Sequence, residues 1–302
     1  MKFMIRFILS HSAIVISSKA RAHGVKSYCF LFSGASRCAH KKTMGIGMFG
    51  TTGWLRFEVN DEIKKWATAA QKFASGAAQN LALKEKWLQC EGTWYVGVDV
   101  LPSDEDGCFD GVELAGPVSE LIRSVITKPL HPAQVSILYP GYPKPRQGET
   151  KAGFTYRLTR DAAHVDGLLP VGAERRRMLR EPHAYVLGLP LNTCDIKASP
   201  MVVWEGSHLI MHKAFQAALS PYPAAQWSDI DLSDVYHAAR REAFENCRRV
   251  AVHAEPGQAY AIHRLALHGI APWQEGARAP REGRMIAYFR PELNDIEEWP
   301  NL

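Results

Sequence analysis

Apolar residues Ile63, Trp66, Ala70 and Phe73 recur at three- to four-residue intervals behind Asn60-Asp61-Glu62. That spacing predicts an amphipathic helix over about 61–77, with Asn60 capping its first turn and two acids at the positive end of its dipole. Beyond it the period shortens. "GTWYVGVDVL", rich in aromatic and β-branched residues, reads as a strand ending at Pro102, and the acidic "PSDEDGCFDG" as a loop. "GPVSELIRSVI" reads as a short helix, and "AQVSILYPGYPKP" as a strand entering a proline-rich turn. The rest is strand-dominated: "GFTYRLTR", "HAYVLGLPLN", "PMVVWEG", "QAYAIHRLALHGI" and "GRMIAYFRP" are short β-rich runs punctuated by Pro and Gly. One helix interrupts them at about 229–248, where "DIDLSDVYHAARREAFENCRR" starts acidic and ends basic. The sequence holds no internal repeat. This order predicts a mainly β domain with flanking helices, its core a double-stranded β-helix (jelly roll, cupin-like) behind an N-terminal helical layer.

Charge divides the chain. Residues 1–48 carry eight Lys and Arg and no Asp or Glu, although the whole chain is only +5; without those eight, 28 basic residues face 31 acidic ones. A near-neutral body argues against a nucleic-acid surface, which needs clustered Lys and Arg against the phosphate backbone. Residues 1–48 are read as an extension outside the fold: a targeting segment, or residues upstream of a true start at Met44 or Met48. Its apolar run is too short to span a bilayer, and residues 49–302 are read as one domain. Cys90, Cys108, Cys194 and Cys247 are scattered and form no CxxC pair, which favours a reducing compartment. The cytoplasm is the expected location, with an organelle as the alternative if the extension is a transit segment.

The candidate chemistry begins in "YRLTRDAAHVDGLLP". Residues two apart in a strand share a face, so His164 and Asp166 can present an imidazole and a carboxylate to one point. Alone, the pair also fits a core histidine and a turn aspartate. Downstream, "PGQAYAIHRLALHGIAPW" delivers His268 beside Gly269. Two histidines and one carboxylate suit non-haem Fe(II), because three adjacent coordination positions stay open. His263 competes with His268, and "HAE" at 253–255 reads as a surface turn. Arg284 opens an apolar strand, where a buried cation is costly unless it meets an anion. A planar guanidinium there can hold a carboxylate through two hydrogen bonds. Arg278 and Arg281 compete for this role from the polar loop "EGARAPREG".

Over roughly residues 135–292 the chain resembles the Fe(II)/2-oxoglutarate dioxygenases, most closely the phytanoyl-CoA dioxygenase-like branch. The resemblance is carried by "HVD" at 164–166, "WEGSH" at 204–208, "LHG" at 267–269 and Arg284 opening "GRMIAYFRP". Glu205 departs from the family's usual proline, and Arg284 lies farther from the distal histidine than is usual. The resemblance implies Fe(II) on His164, Asp166 and His268, 2-oxoglutarate as cosubstrate anchored by Arg284, and O2 as oxidant. The implied reaction is hydroxylation of a small molecule, with succinate and CO2 released. Asp166 argues against halogenation, in which relatives lack the carboxylate. The alternatives are a cupin-type metal enzyme that does not use 2-oxoglutarate, and a non-catalytic binding protein on the same fold. His208 is expected to be a structural turn residue, and Arg175, Arg176 and Arg177 a solvated helix face or an anionic-substrate handle. Trp204, Tyr156 and Arg160 are candidates to line the pocket. Substrate identity and oligomeric state are not set by the sequence.

Overall fold

The structure, a computed structural model, describes residues 49–302; the expectations for residues 1–48 lie outside it. Helix α1 (Asp61–Gln79) forms where the apolar spacing places it, and the Asn60 side chain accepts hydrogen bonds from the Glu62 and Ile63 amides. Seven strands make one antiparallel sheet: β1 (Trp54–Phe57), β2 (Leu88–Gln89), β3 (Trp94–Tyr95), β4 (Gln134–Leu138), β7 (Tyr185–Pro190), β10 (Ala259–His263) and β12 (Arg284–Phe289). Their spatial order is β1-β10-β7-β12-β4-β3-β2. A second antiparallel sheet, ordered β11-β8-β9, holds β8 (Met201–Glu205), β9 (Arg248–Val252) and β11 (His268–Ile270). The hairpin β5 (Leu168–Val171) and β6 (Arg176–Leu179) stands apart.

Side-chain alternation explains how the layers meet. Val186, Tyr260, Ile262, Ile286 and Tyr288 from the large sheet pack with Met201, Val203 and Val252 from the small one, forming an apolar layer between the two sheets. On the opposite face of the large sheet, Leu187, Leu189, Ala261, Met285, Ala287 and Phe289 join Ile63, Trp66, Ala67, Ala70 and Ala74 of α1. Trp66 and Phe289 stack with ring centroids 5.8 Å apart. The outer face of the small sheet is covered by α4 (Lys151–Arg160), α5 (Ser207–Leu219) and α6 (Ser233–Asn246), where Trp204 packs edge-on against Phe244. The remaining α-helices among the described residues are α2 (Leu81–Trp87) and α3 (Pro117–Val125), with 3-10 turns at Ala224–Asp229 and Ile296–Glu298.

Four expectations change. "GFTYRLTR" is not a strand but most of α4, capped by Thr150, whose side chain accepts from the Gly153 amide. Its period-two pattern of Phe154, Tyr156 and Leu158 misleads because Leu158 faces solvent while Arg157 is buried on Glu149. "GTWYVGVDVL" keeps only Trp94–Tyr95 as strand, because Gly97 and Asp99 adopt positive φ and bend the chain away. The "GSH" turn opens the full helix α5, so His208 lies in a first helical turn. Arg175–Arg177 belong to the β5–β6 hairpin rather than to a helix: Arg175 adopts positive φ in the turn, and Arg176 and Arg177 continue into β6.

Candidate metal centre

Reciprocal backbone hydrogen bonds join His164 to His268, amide to carbonyl in both directions at 2.8 and 3.0 Å. This single bridge lays the "HVD" segment beside β11, so the two imidazoles face each other with centroids 4.6 Å apart. His268 pairs with Val203 of β8 and shares its inward face. Gly269 is required by the close approach: a Cβ there would lie 2.2 Å from the Asp161 carbonyl oxygen, which accepts from the Ile270 amide.

The segment before His164 is tightly turned. Asp161 and Ala162 both adopt φ of +55°, a conformation that costs L-residues about 1–2 kcal/mol each. Arg249 holds the buried Asp161 carboxylate through two hydrogen bonds of 2.7 and 2.9 Å. The turn swings the Ala162 carbonyl onto His164 Nδ1, at 3.0 Å, while His268 Nδ1 meets the Ala266 carbonyl at 2.9 Å. A carbonyl oxygen only accepts, so both Nδ1 atoms carry the proton and both Nε2 atoms are left as lone-pair donors. His164 Nε2 lies 3.3 Å and His268 Nε2 3.6 Å from Asp166 Oδ1. The three donor atoms lie within 4.8 Å of one another.

This donor set fits a divalent cation. Two imidazoles and one carboxylate converge at a point, and each imidazole has a backbone acceptor behind it that favours the ligating tautomer. Burial would raise the Asp166 pKa, yet the Arg290 guanidinium beside it holds it well below the usual carboxylate range. Asp166 and His268 are buried while His164 is exposed, so the cluster opens to solvent on the His164 side.

Arg284 lies on the same inward face as Ile286 and Tyr288. The Asn192 side chain brackets its backbone, donating to the Gly283 carbonyl at 2.8 Å and accepting from the Met285 amide at 3.0 Å. Its buried guanidinium faces the hydroxyls of Tyr260 and Tyr288, themselves 2.9 Å apart. Tyr260 reaches this point by lying across Gly188, where a Cβ would meet its ring at 2.3 Å. Among the described residues no carboxylate lies within 4.0 Å of Arg284. Arg278 and Arg281 are exposed.

The other candidates fall elsewhere. His263 sits on the opposite face of β10 from Tyr260, stacked edge-on with Phe49, and its Nδ1 accepts from the Leu265 amide. The His208 ring bonds the Gly50 carbonyl at 3.0 Å. His253 and Glu255 pair with each other at 3.0 Å beyond the end of β9. Trp204, Tyr156 and Arg160 pack around Phe244 outside the small sheet, not between the sheets. Glu205, in place of the usual proline, accepts from Trp54 Nε1 and pairs with Arg248. Asp161, Ala162 and Arg249 escaped sequence reasoning, and so did two further contributors. The fully buried Ser207 accepts from the Leu267 amide at 2.8 Å, fixing the strand that presents His268; the "GSH" motif was its signal. The other is Arg290, just past the end of β12, whose even spacing from Arg284 was its only trace.

No family model matches the chain, and neither does any curated protein. Among solved structures it is similar to the non-heme alpha-ketoglutarate-dependent carbocyclase SnoK from nogalamycin biosynthesis, with a TM-score of 0.41 and 14% identity over 86% of this chain and 84% of that one. It is similar to EctD from S. alaskensis with bound Fe (TM-score 0.39, 15% identity, 86% and 77% covered). HygX from Streptomyces hygroscopicus, with nickel, 2-oxoglutarate and hygromycin B bound, gives a TM-score of 0.39 and 14% identity, with 81% and 84% covered. At these values the likeness assigns no activity to this chain.

Proposed function

We propose that the chain is an Fe(II)- and 2-oxoglutarate-dependent oxygenase of small molecules, with its two facing antiparallel sheets as a jelly-roll core. The observation that carries this reading is the convergence of His164 Nε2, His268 Nε2 and Asp166 Oδ1, with both Nδ1 atoms committed to backbone carbonyls. His164, Asp166 and His268 would hold the metal. Arg284, with the hydroxyls of Tyr260 and Tyr288, would take the distal carboxylate of 2-oxoglutarate, the anion that this buried cation lacks. When bound, Fe(II), 2-oxoglutarate and O2 supply the oxidising chemistry that hydroxylates a C–H bond, with succinate and CO2 released. The protein's part is to orient the ligands, exclude water from between the sheets, and leave the exposed His164 side open to substrate.

Anaerobic addition of 2-oxoglutarate to the Fe(II)-loaded protein tests the reading. A visible charge-transfer band is expected in the wild type, lost in His164→Ala and strongly weakened in Arg284→Leu. Metal binding without such a band would sink the 2-oxoglutarate assignment and favour a cupin-type metal enzyme. Oxygen-dependent succinate release that His164→Ala abolishes would eliminate a non-catalytic binding protein.

A further inference from the structure

The residue that touches Asp166 from behind is Arg290. It follows β12 on the inward face shared by Arg284, Ile286 and Tyr288, and its guanidinium lies 5.5 Å from the Tyr288 ring centroid. Arg290 Nε donates to Asp166 Oδ2 at 2.9 Å, and Nη1 donates to Gln134 Oε1. Gln134 is fixed in turn, because its Nε2 donates to the Val96 carbonyl at 2.8 Å and so leaves Oε1 facing the arginine. One carboxylate oxygen of Asp166 is therefore committed to Arg290, while the other faces the two imidazoles. A carboxylate with both oxygens free can bind a metal through both and fill two coordination positions; one held from behind offers a single oxygen.

We propose that Arg290, fixed by Gln134, is a positioning residue that makes Asp166 a one-oxygen ligand and keeps a coordination position open beside the two histidines. This rests on the reading of the triad as a metal centre, and the test separates the two. Charge and orientation make opposite demands here. A cation beside a dication site weakens metal binding by Coulomb repulsion, so removing its charge alone would tighten binding. Removing an outer partner that orients a ligand typically weakens metal affinity by about 10–100-fold. The sign of the change therefore distinguishes positioning from a passive charge.

The experiment is a Co(II) titration of the metal-free full chain, followed by calorimetry and by the visible Co(II) spectrum, for wild type, Arg290→Gln, Gln134→Leu and His164→Ala. Affinity is expected to fall about 10–100-fold in Arg290→Gln. Gln134→Leu should move in the same direction by less, without any change of charge. Both should alter the Co(II) spectrum, which reports coordination number and geometry. Affinity within twofold of wild type, or tighter, in Arg290→Gln overturns the proposal. If that variant does not fold, Gln134→Leu decides by the same criterion. Wild type that binds no Co(II), or His164→Ala that binds as wild type does, overturns the metal centre itself. Loss of binding in His164→Ala with the Arg290 and Gln134 variants unchanged overturns only the role of Arg290.

Discussion

At the scale of single residues, the centre depends on close approaches that leave no room for a side chain. Gly269 is the clearest case, since a Cβ would come within 2.2 Å of the Asp161 carbonyl and backbone cannot yield as a side-chain tip can. Gly269→Ala is expected to push β11 away from the 161–164 turn, costing about 1–3 kcal/mol of stability and weakening metal binding far more than a remote substitution of equal cost. Denaturant unfolding together with a metal titration checks both halves; a destabilised variant with wild-type metal affinity would show that the contact is only structural. Spacing two apart marked His164 and Asp166 as a candidate pair in the sequence, whereas His268 was preferred to His263 through the family resemblance, by the Gly269 that follows it. Asp161, Ala162 and Arg249 were not legible. The turn they form depends on a positive φ at two residues that are not glycine, and on an ion pair spanning 88 positions. Arg290 stayed hidden for a similar reason: its partners Asp166 and Gln134 lie 124 and 156 positions away.

At the scale of elements, periodicity succeeds where burial follows polarity and fails where it does not. Helix α1 was legible because Ile63, Trp66, Ala67, Ala70 and Ala74 are buried on one stripe. Helix α4 was misread because it buries an arginine and exposes a leucine. Arg157 lies among Glu149 Oε1 and Oε2, at 2.8 and 2.7 Å, the Lys144 carbonyl and Cys90 Sγ. Burial would raise the Glu149 pKa, but its hydrogen bonds from Arg157 and the Arg146 amide bring it below the ordinary value. Arg157→Met would strand that carboxylate, and a loss of about 3 kcal/mol is expected, read from urea unfolding at pH 7. Glu149→Gln with Arg157→Met should recover part of it, and failure to recover any would place the cost in packing rather than charge. The C-terminal turn shows the same reliance on distant partners. Arg264, four residues before His268, donates to the carbonyls of Glu298, Trp299 and Asn301, while Trp299 packs on Gly167 beside Asp166. Trp299→Ala is expected to loosen both ligand-bearing segments at once. It would then lower metal affinity as well as the roughly 3–5 kcal/mol typical of a buried tryptophan, measured by the same paired titrations.

For the molecule as a whole, the buried imidazoles and the triad set how stability responds to solution conditions. Burial, helped by Arg290, pushes the His183 pKa from 6.5 down to about 4, and burial also lowers those of His208 and His263. A folded-state pKa below the unfolded one means that the unfolded chain binds the extra proton first. Stability is therefore full above about pH 6.5 and falls as pH drops toward 4, by about 3 kcal/mol from His183 alone. His183→Leu should flatten the acid limb of a plot of melting temperature against pH; an unchanged limb would show that His183 is not the group responsible. Metal should act on the same equilibrium from the other side. The Asp166 charge is already met by Arg290, Ala266 and Ile270 beside His268 pack in the layer between the sheets, and Ala163 and Val165 beside Asp166 pack in the larger core, so the protein is expected to stay folded when chelated. A metal that binds only the folded state then adds about 2.7 kcal/mol at a hundred times its dissociation constant. For a domain of this size that raises the melting temperature by roughly 5–10 °C, and the increment should vanish in His164→Ala, which deletes a donor on the exposed side without opening the core. Collapse of the wild type on chelation would show instead that the metal is needed to hold the fold.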